Sequence, residues 1–351
     1  MYEPYYNTLL DIILKMKELI EALFPQYEYS ESLGNGKFSA TFKVKDKQLN
    51  LQLCVKVFYI QGMNEQNMDK LFDIYTRLQN IKNPNIIKII NSVYNNEKTH
   101  FIVVSEFIQG GNIFQDILKR IEYQKPYLES EIWDYLFQIS NGLKALHDLK
   151  IIHTELKTQN IFLQNERQIK IGDIGIRYLI SQNNINGCPF YKSPESFLGI
   201  QNKKSDIWSL GCLLYEMIYQ KPLFLGNNLE ELHKKIQKAQ LPKMTSFNKN
   251  IIYLIENLVQ SNQQERPEIN IILQIVSLNI VLVLNQKTQI QIKYFFQINK
   301  KQNRLVNIIK LTKIIICPKQ MRLRNQNPKL YTNNNILIAN QIINTMSKLQ
   351  S

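Results

Sequence analysis

Apolar residues recur at helical spacing over residues 8–24, where Leu9, Ile12, Ile13, Met16, Leu19, Ile20 and Leu23 share one stripe and Pro25 ends it. The spacing predicts a helix that docks on the segment after it, in preference to a membrane or partner helix. From Tyr27 to about Val104 the pattern shifts to short β-rich stretches, YEYSESL, SATFKVK, LQLCVKVFY and HFIVVSEF, interrupted by one helical segment at 65–82. Beyond the turn at Gly110 and Gly111, periodic apolar runs at 113–121, 130–149, 205–220, 229–238 and 250–260 predict helices. A β-rich small domain followed by a helical larger one is an α+β pair with a cleft between its parts.

Residues 269–286 carry no charge, but Asn270, Gln274, Ser277 and Asn279 break the run, so a final buried helix is expected there in place of a membrane span. The tail beyond it is rich in Asn, Gln, Ile and Lys without a sustained period, and no domain is assigned to it. Charge sharpens this division. Of 43 Lys and Arg, 12 lie beyond Glu268, where there is no Asp or Glu, leaving 31 basic against 29 acidic side chains in residues 1–268. The net charge of +14 is therefore a property of the tail. The tail has no recognisable nucleic-acid module and no ordered basic face, so nucleic acid is not expected as a partner; electrostatic binding to polyanions or microtubules is the alternative its charge allows. Cys54, Cys188, Cys212 and Cys317 are scattered, with no zinc or disulfide spacing, and the first residues lack a secretory signal. A cytoplasmic protein is expected, with nuclear or cytoskeletal association as variants and no membrane partner.

The chemistry lies in an ordered series of motifs. Gly34 and Gly36 fall between two predicted strands, where a glycine-rich turn can approach phosphates without a Cβ in the way. Lys56 follows in the strand Cys54-Val55-Lys56-Val57, and later come His153-Thr154-Glu155-Leu156-Lys157-Thr158-Gln159-Asn160 and Asp173-Ile174-Gly175. Ser193-Pro194-Glu195, Asp206-Ile207-Trp208 and Arg266-Pro267 complete the set. A lone strand lysine is usually just solvated, and each of the others taken singly reads as a loop or a helix start; the fixed order is what makes them specific.

With these motifs, and with the stretches LKTQNIFL, IKIGDIGI, YKSPE and KSDIWSLGCLLYE, the chain resembles the protein kinases over residues 27–280, and most closely the NIMA-related serine/threonine kinases. The resemblance implies a two-lobed fold with a β-rich N-lobe at 27–107 and a mostly helical C-lobe at 108–280. An extra helix at 1–26 precedes them, and a basic, poorly ordered tail at 281–351 follows. It implies ATP and Mg²⁺ as cofactors and a protein substrate lying on the large lobe. The implied nucleotide-binding positions are Leu33, Gly34, Gly36, Thr41, Cys54, Lys56, Ser105, Glu106, Ile108 and Phe162, with a hinge at Glu106–Ile108 and a small gatekeeper in Ser105. The implied catalytic positions are Glu155, Lys157, Asn160 and Asp173; Asn160 and Asp173 would hold the metal, and Lys157 would touch the γ-phosphate. Glu195 and Arg266 match a bracing ion pair, and Asp206 an anchor for the catalytic loop.

The departures from that pattern define two functional readings. Glu155 stands where the family has Asp, on a stem one methylene longer, and Thr154 replaces the preceding Arg. The loop between Asp173 and Glu195 contains no Thr; Ser181 is its one hydroxyl outside the Ser-Pro-Glu motif apart from Tyr178 and Tyr191, which argues against activation by loop phosphorylation. Ten positions before Pro84, Ile74 occupies the place of the helix Glu that pairs with the strand lysine, on a stripe with Leu71, Leu78 and Ile81. Ser39 replaces the third loop glycine, Ile174 a Phe, and Cys188 a Thr. A serine/threonine kinase with a displaced base, or a pseudokinase acting as a nucleotide-binding scaffold, both fit this set, with the enzyme preferred because phosphoryl transfer depends mainly on positioning and charge.

Overall fold

The computed structural model describes residues 3–36, 38–175, 179–180, 188–245 and 247–285. Tyr178, Ser181 and the basic tail beyond position 285 lie outside the described residues. The chain forms two units, one through Leu273 and one from Gln274 onward.

The first unit opens with α1 (Glu3–Leu23). Strands β1 (Tyr27–Asn35), β2 (Ser39–Asp46) and β3 (Gln52–Tyr59) follow, then α2 (Glu65–Gln79), β4 (Ile89–Tyr94) and β5 (His100–Glu106). The five strands make one antiparallel sheet in the order β1-β2-β3-β5-β4. Alternation along β2 and β3 gives the sheet two different faces. Ala40, Phe42, Val44, Val55 and Val57 are buried on one face, where Met16 and Ile20 of α1 and Phe24 just after it pack against them. Thr41, Cys54 and Lys56 are half-buried on the other, and this face turns to the cleft. The expected helix at 8–24 is present and longer than its apolar stripe. Strand β4 escaped the sequence pattern because its alternation is weak: Asn91 and Ser92 interrupt Ile89, Ile90 and Val93.

The rest of the unit is largely helical, with α3 (Ile113–Glu122), α4 (Glu129–Asp148), α5 (Lys203–Tyr219), α6 (Leu229–Gln237) and α7 (Lys249–Leu258). A two-stranded ribbon, β6 (Ile161–Asn165) with β7 (Gln168–Ile171), lies between α4 and α5 in the chain. α5 is the hub: Ile207, Trp208, Leu210, Leu213 and Met217 are all essentially inaccessible, so this helix is apolar nearly all round. The last helix, α8 (Ile269–Asn285), begins in the first unit and ends in the second, past the boundary expected at 280. Within the second unit, Asn279 satisfies its side-chain amide by donating to the carbonyl of Ile275, one turn back, at 2.8 Å. Among the described residues no helix is long and apolar enough to cross a membrane.

Candidate active site

The cleft is assembled from both lobes. Its roof is the inner face of the sheet, where register pairs Gly34 with Thr41, Thr41 with Lys56 and Cys54 with Ser105. Backbone register therefore fixes these residues as one patch. Leu33 at the edge is 43% exposed, and the turn after it is closed by the Gly36 N–H donating to the Ser39 carbonyl at 2.9 Å. Burial pushes the Cys54 thiol up to about 11, so it is a protonated, weakly nucleophilic side chain at neutral pH.

At the back of the cleft, Glu106 ends β5 and leads into Phe107 and Ile108. Its backbone N–H donates to the Lys88 carbonyl at 3.1 Å, and its carboxylate accepts from the Lys88 N–H at 2.7 Å and from Lys170 Nζ at 2.6 Å. Lys170 lies on β7, so this ion pair joins the connecting segment to the floor. The floor carries Phe162 on β6, and its approach is close: a Cβ on Gly172 would lie 2.9 Å from Phe162 Cε2 and 2.7 Å from Ile87 Cδ1. A larger residue there would require the Ile87 and Phe162 side chains to shift. The Gly172 N–H donates to the Asn160 carbonyl at 2.9 Å, which sets Asp173 directly after a residue tied to the loop that carries Glu155.

That loop is held from beneath by Asp206 of α5. The buried carboxylate accepts from the backbone N–H of His153 at 2.9 Å and of Thr154 at 3.0 Å, and contacts His147 Nε2 at 2.8 Å. Thr154 takes a positive φ of 67°, an uncommon conformation for a β-branched residue, and these bonds hold it there. Burial lowers the pKa of His153, which stays neutral and accepts the Glu155 N–H at Nδ1, 3.2 Å away.

Above this base the charged groups converge. Glu155 Oε1 accepts from Lys157 Nζ at 2.8 Å, and Asn160 Nδ2 donates to the Glu155 carbonyl at 2.9 Å. Asp173, with φ of 55°, places Oδ2 2.5 Å from Lys56 Nζ. The Gly175 N–H returns to the His153 carbonyl at 3.0 Å, so the Asp173 segment and the loop that carries Glu155 are stitched together. Thus Glu155, Lys157 and Asn160 share one hydrogen-bonded loop, and Lys56 and Asp173 form a pair beside it, from the roof and from the segment after β7.

Helix α2 supplies no carboxylate to Lys56. A Cβ on Gly175 would stand 3.7 Å from Ile74 Cδ1 and Cγ2, so an apolar aliphatic surface meets the loop after Asp173. Asp73 pairs instead with Arg77 at 2.5 Å on the exposed side of the helix. The helix is seated by Leu71, Leu78 and Tyr75, whose ring packs edge-on against Phe101 with centroids 5.2 Å apart.

A match to the model of the protein kinase domain covers residues 27–276. The chain belongs to the protein kinase family. Among curated relatives, the kinase is 30% identical over 255 residues to the probable serine/threonine-protein kinase nek2 of Dictyostelium discoideum, covering 70% of this chain and 61% of that protein. It is 36% identical over 261 residues to human serine/threonine-protein kinase Nek5, covering 71% of this chain and 36% of the relative. Mouse Nek1 is 32% identical over 258 residues, or 21% of its length. The kinase thus spans less than two thirds of these relatives, which carry further sequence that it does not match. A protein kinase domain works with ATP and a divalent metal, and acts on protein.

A second layer under the Glu155–Asn160 loop was not read from the sequence. Thr158 Oγ1 lies 3.0 Å from the Tyr191 hydroxyl and 3.1 Å from Glu216 Oε2, and Tyr191 also donates to Glu216. Burial raises the pKa of Glu216, with the Tyr191 and Thr158 hydroxyls drawing it back. Ser209 Oγ donates to the Tyr191 carbonyl at 2.8 Å. These residues come from three separate parts of the chain, and no spacing in the sequence links them.

Proposed function

We infer that this kinase transfers the γ-phosphate of Mg·ATP to Ser or Thr of a protein, with Glu155 orienting the acceptor hydroxyl. The observation that carries the reading is the loop on which Glu155, Lys157 and Asn160 are bonded to one another at 2.8 and 2.9 Å, over a buried Asp206 anchor. A carboxylate for the acceptor, a cation for the transferring phosphate and an amide oxygen for the metal are the parts this reaction needs, because its transition state is stabilised mainly by position and charge.

The donors suit Mg²⁺. The Asn160 amide commits its nitrogen to the Glu155 carbonyl and keeps its oxygen as a ligand atom, and Asp173 supplies a carboxylate. Mg²⁺ is commonly held by one or two such oxygens together with substrate phosphates. When bound it would neutralise charge on those phosphates. Lys56, now on Asp173, is within reach of the same region, Lys157 holds Glu155 in place, and Glu155 accepts the hydroxyl hydrogen bond.

One observation favours the alternative, a nucleotide-binding scaffold without turnover: Lys56 pairs with Asp173 itself, and Ile74 takes the place of an intervening carboxylate. Phosphate transfer from labelled ATP to a generic Ser/Thr substrate separates the readings. The kinase should be active, Asp173→Ala should remove activity and the Mg-dependent gain in thermal stability with ATP, and Glu155→Ala should lower turnover. Glu155→Asp should raise turnover, by up to about a hundredfold if reach alone limits it. An inactive protein that binds Mg·ATP and is not rescued by Glu155→Asp or by Glu155→Asp with Ile74→Glu would be the scaffold.

A further inference from the structure

We propose that Asn35 is a site of spontaneous modification: in the empty kinase its side-chain amide is converted to an acid through a ring closed by the Gly36 backbone nitrogen, and the acid weakens the binding of Mg·ATP. The second half of this inference rests on the nucleotide-binding reading above, and the first half does not.

The dipeptide Asn-Gly occurs three times in the chain, at Asn35-Gly36, Asn141-Gly142 and Asn186-Gly187, the last outside the described residues. A glycine after Asn favours attack of its backbone nitrogen on the side-chain amide, because no Cβ stands in the way. The two described copies sit in opposite surroundings. Asn35 ends β1 at the turn toward β2 and is exposed. Beyond its chain neighbours, a Cβ at Gly34 would meet nothing within 4 Å and one at Gly36 would meet the Ser39 carbonyl oxygen at 3.7 Å, so the turn has room to rearrange. The Tyr59 hydroxyl, at the end of β3, donates to Asn35 Oδ1 at 3.2 Å. A donor on that oxygen stabilises the negative charge that builds there as Cγ is attacked. Asn141 has none of this freedom. It lies within α4, its Nδ2 donates to Asn85 Oδ1 at 2.9 Å, and a Cβ on Gly142 would stand 2.8 Å from the Asn85 carbonyl oxygen. There the leaving nitrogen is tied and the backbone is packed inside a helix.

The chemistry needs only water. The Gly36 nitrogen bonds to Cγ of Asn35, the Cγ–Nδ2 bond breaks, and Nδ2 leaves as ammonia with the proton that Gly36 gives up. Water then opens the cyclic imide, its hydroxyl joining one carbonyl carbon and its proton returning to the nitrogen. Opening on the side-chain side gives Asp, and opening on the main-chain side gives isoaspartate, with an extra methylene in the backbone. Nothing is oxidised or reduced. Either product puts a carboxylate between Gly34 and Gly36, in the turn that would lie over the ATP phosphates, where like charge repels. The Gly36 N–H is held by the Ser39 carbonyl at 2.9 Å and must come free before its nitrogen can attack. Phosphates seated under the turn would hold its backbone N–H groups, so bound nucleotide protects Asn35. The modification therefore falls on kinase molecules that stand empty, and retires them.

The test uses the full chain, incubated in mildly alkaline buffer with and without Mg·ATP and sampled by peptide mass mapping and by calorimetric titration with Mg·ATP. The peptide holding Asn35 should gain the mass of an amide-to-acid exchange at least about tenfold faster than the peptide holding Asn141, with isoaspartate among the products. Tyr59→Phe and added Mg·ATP should each slow this several-fold. Asn35→Gln, whose amide carbon lies one methylene further from the backbone, should stay unconverted and hold its affinity through the incubation. Aged wild type and fresh Asn35→Asp should both bind Mg·ATP about tenfold more weakly than fresh wild type. Conversion at Asn35 no faster than at Asn141 overturns the proposal, and so does unchanged affinity once Asn35 is converted. Loss of affinity by aged Asn35→Gln to the same extent as wild type would overturn it too, since the loss would then have another cause. Absence of Mg·ATP binding in fresh protein would refute the nucleotide-binding reading and with it the second half of the proposal, while the mass series would still decide the first.

Discussion

At the residue scale, the strongest electrostatic commitment lies away from the cleft. Arg266 is buried and makes a two-pronged contact with Glu195, Nη1 to Oε1 at 2.5 Å and Nη2 to Oε2 at 2.8 Å, with its remaining donors on the carbonyls of Gln260, Lys204 and Ser261. Its guanidinium carbon also sits 5.0 Å from the Trp208 ring centroid. Removing one partner of a buried pair strands the other, so Arg266→Ala should cost roughly 3–5 kcal/mol in urea unfolding. Burial works against ionising Glu195, but Arg266 outweighs it and holds the carboxyl below its usual 4.5. A carboxyl whose folded pKa is depressed contributes stability that is present above the unfolded value and lost as pH falls through the folded one. Melting temperature should accordingly fall as pH drops below about 4.5, and Glu195→Gln should flatten that part of the profile while lowering stability at neutral pH.

At the element scale, α1 is a structural part of the small lobe. Ile20 is 1% exposed, and with Met16 and Phe24 it covers the outer face of β2 and β3. Ile20→Ala should destabilise by about 2–5 kcal/mol, read by denaturant unfolding. This helix was legible from its stripe alone, and so were the strands with clean alternation, β2 and β3, and the helices of the large lobe. The ribbon β6–β7 was not, since four or five residues give a period too little length to register. The cleft shows the same divide. Counting back from Pro84 was enough to place Ile74 against the cleft, because a helix has a fixed period. The buried layer beneath the Glu155–Asn160 loop was invisible, because it arises from Tyr191, Thr158 and Glu216 meeting across 58 residues of chain.

At the scale of the whole molecule, charge and fold are divided unequally. Residues 1–268 are nearly balanced and the excess positive charge lies beyond them, in a stretch rich in Lys and Arg with no acid. Removal of residues 287–351 should therefore leave the melting transition of the kinase intact and abolish most heparin binding, with a shallower dependence of affinity on salt. Equal heparin affinity after truncation would assign the binding to the folded part instead. The cover that α1 gives the sheet also has a temporal side. Val104, one of the buried residues of the cluster around Ile20, lies 84 residues further along the chain. At a synthesis rate of about 5–20 residues per second, roughly 4–17 s separate the two as they leave the ribosome. Most of the stability of an amphipathic helix comes from the packing of its apolar face. Through that interval the helix lacks part of the sheet it packs on, and its apolar stripe is open to whatever chaperone or neighbouring chain stands nearest.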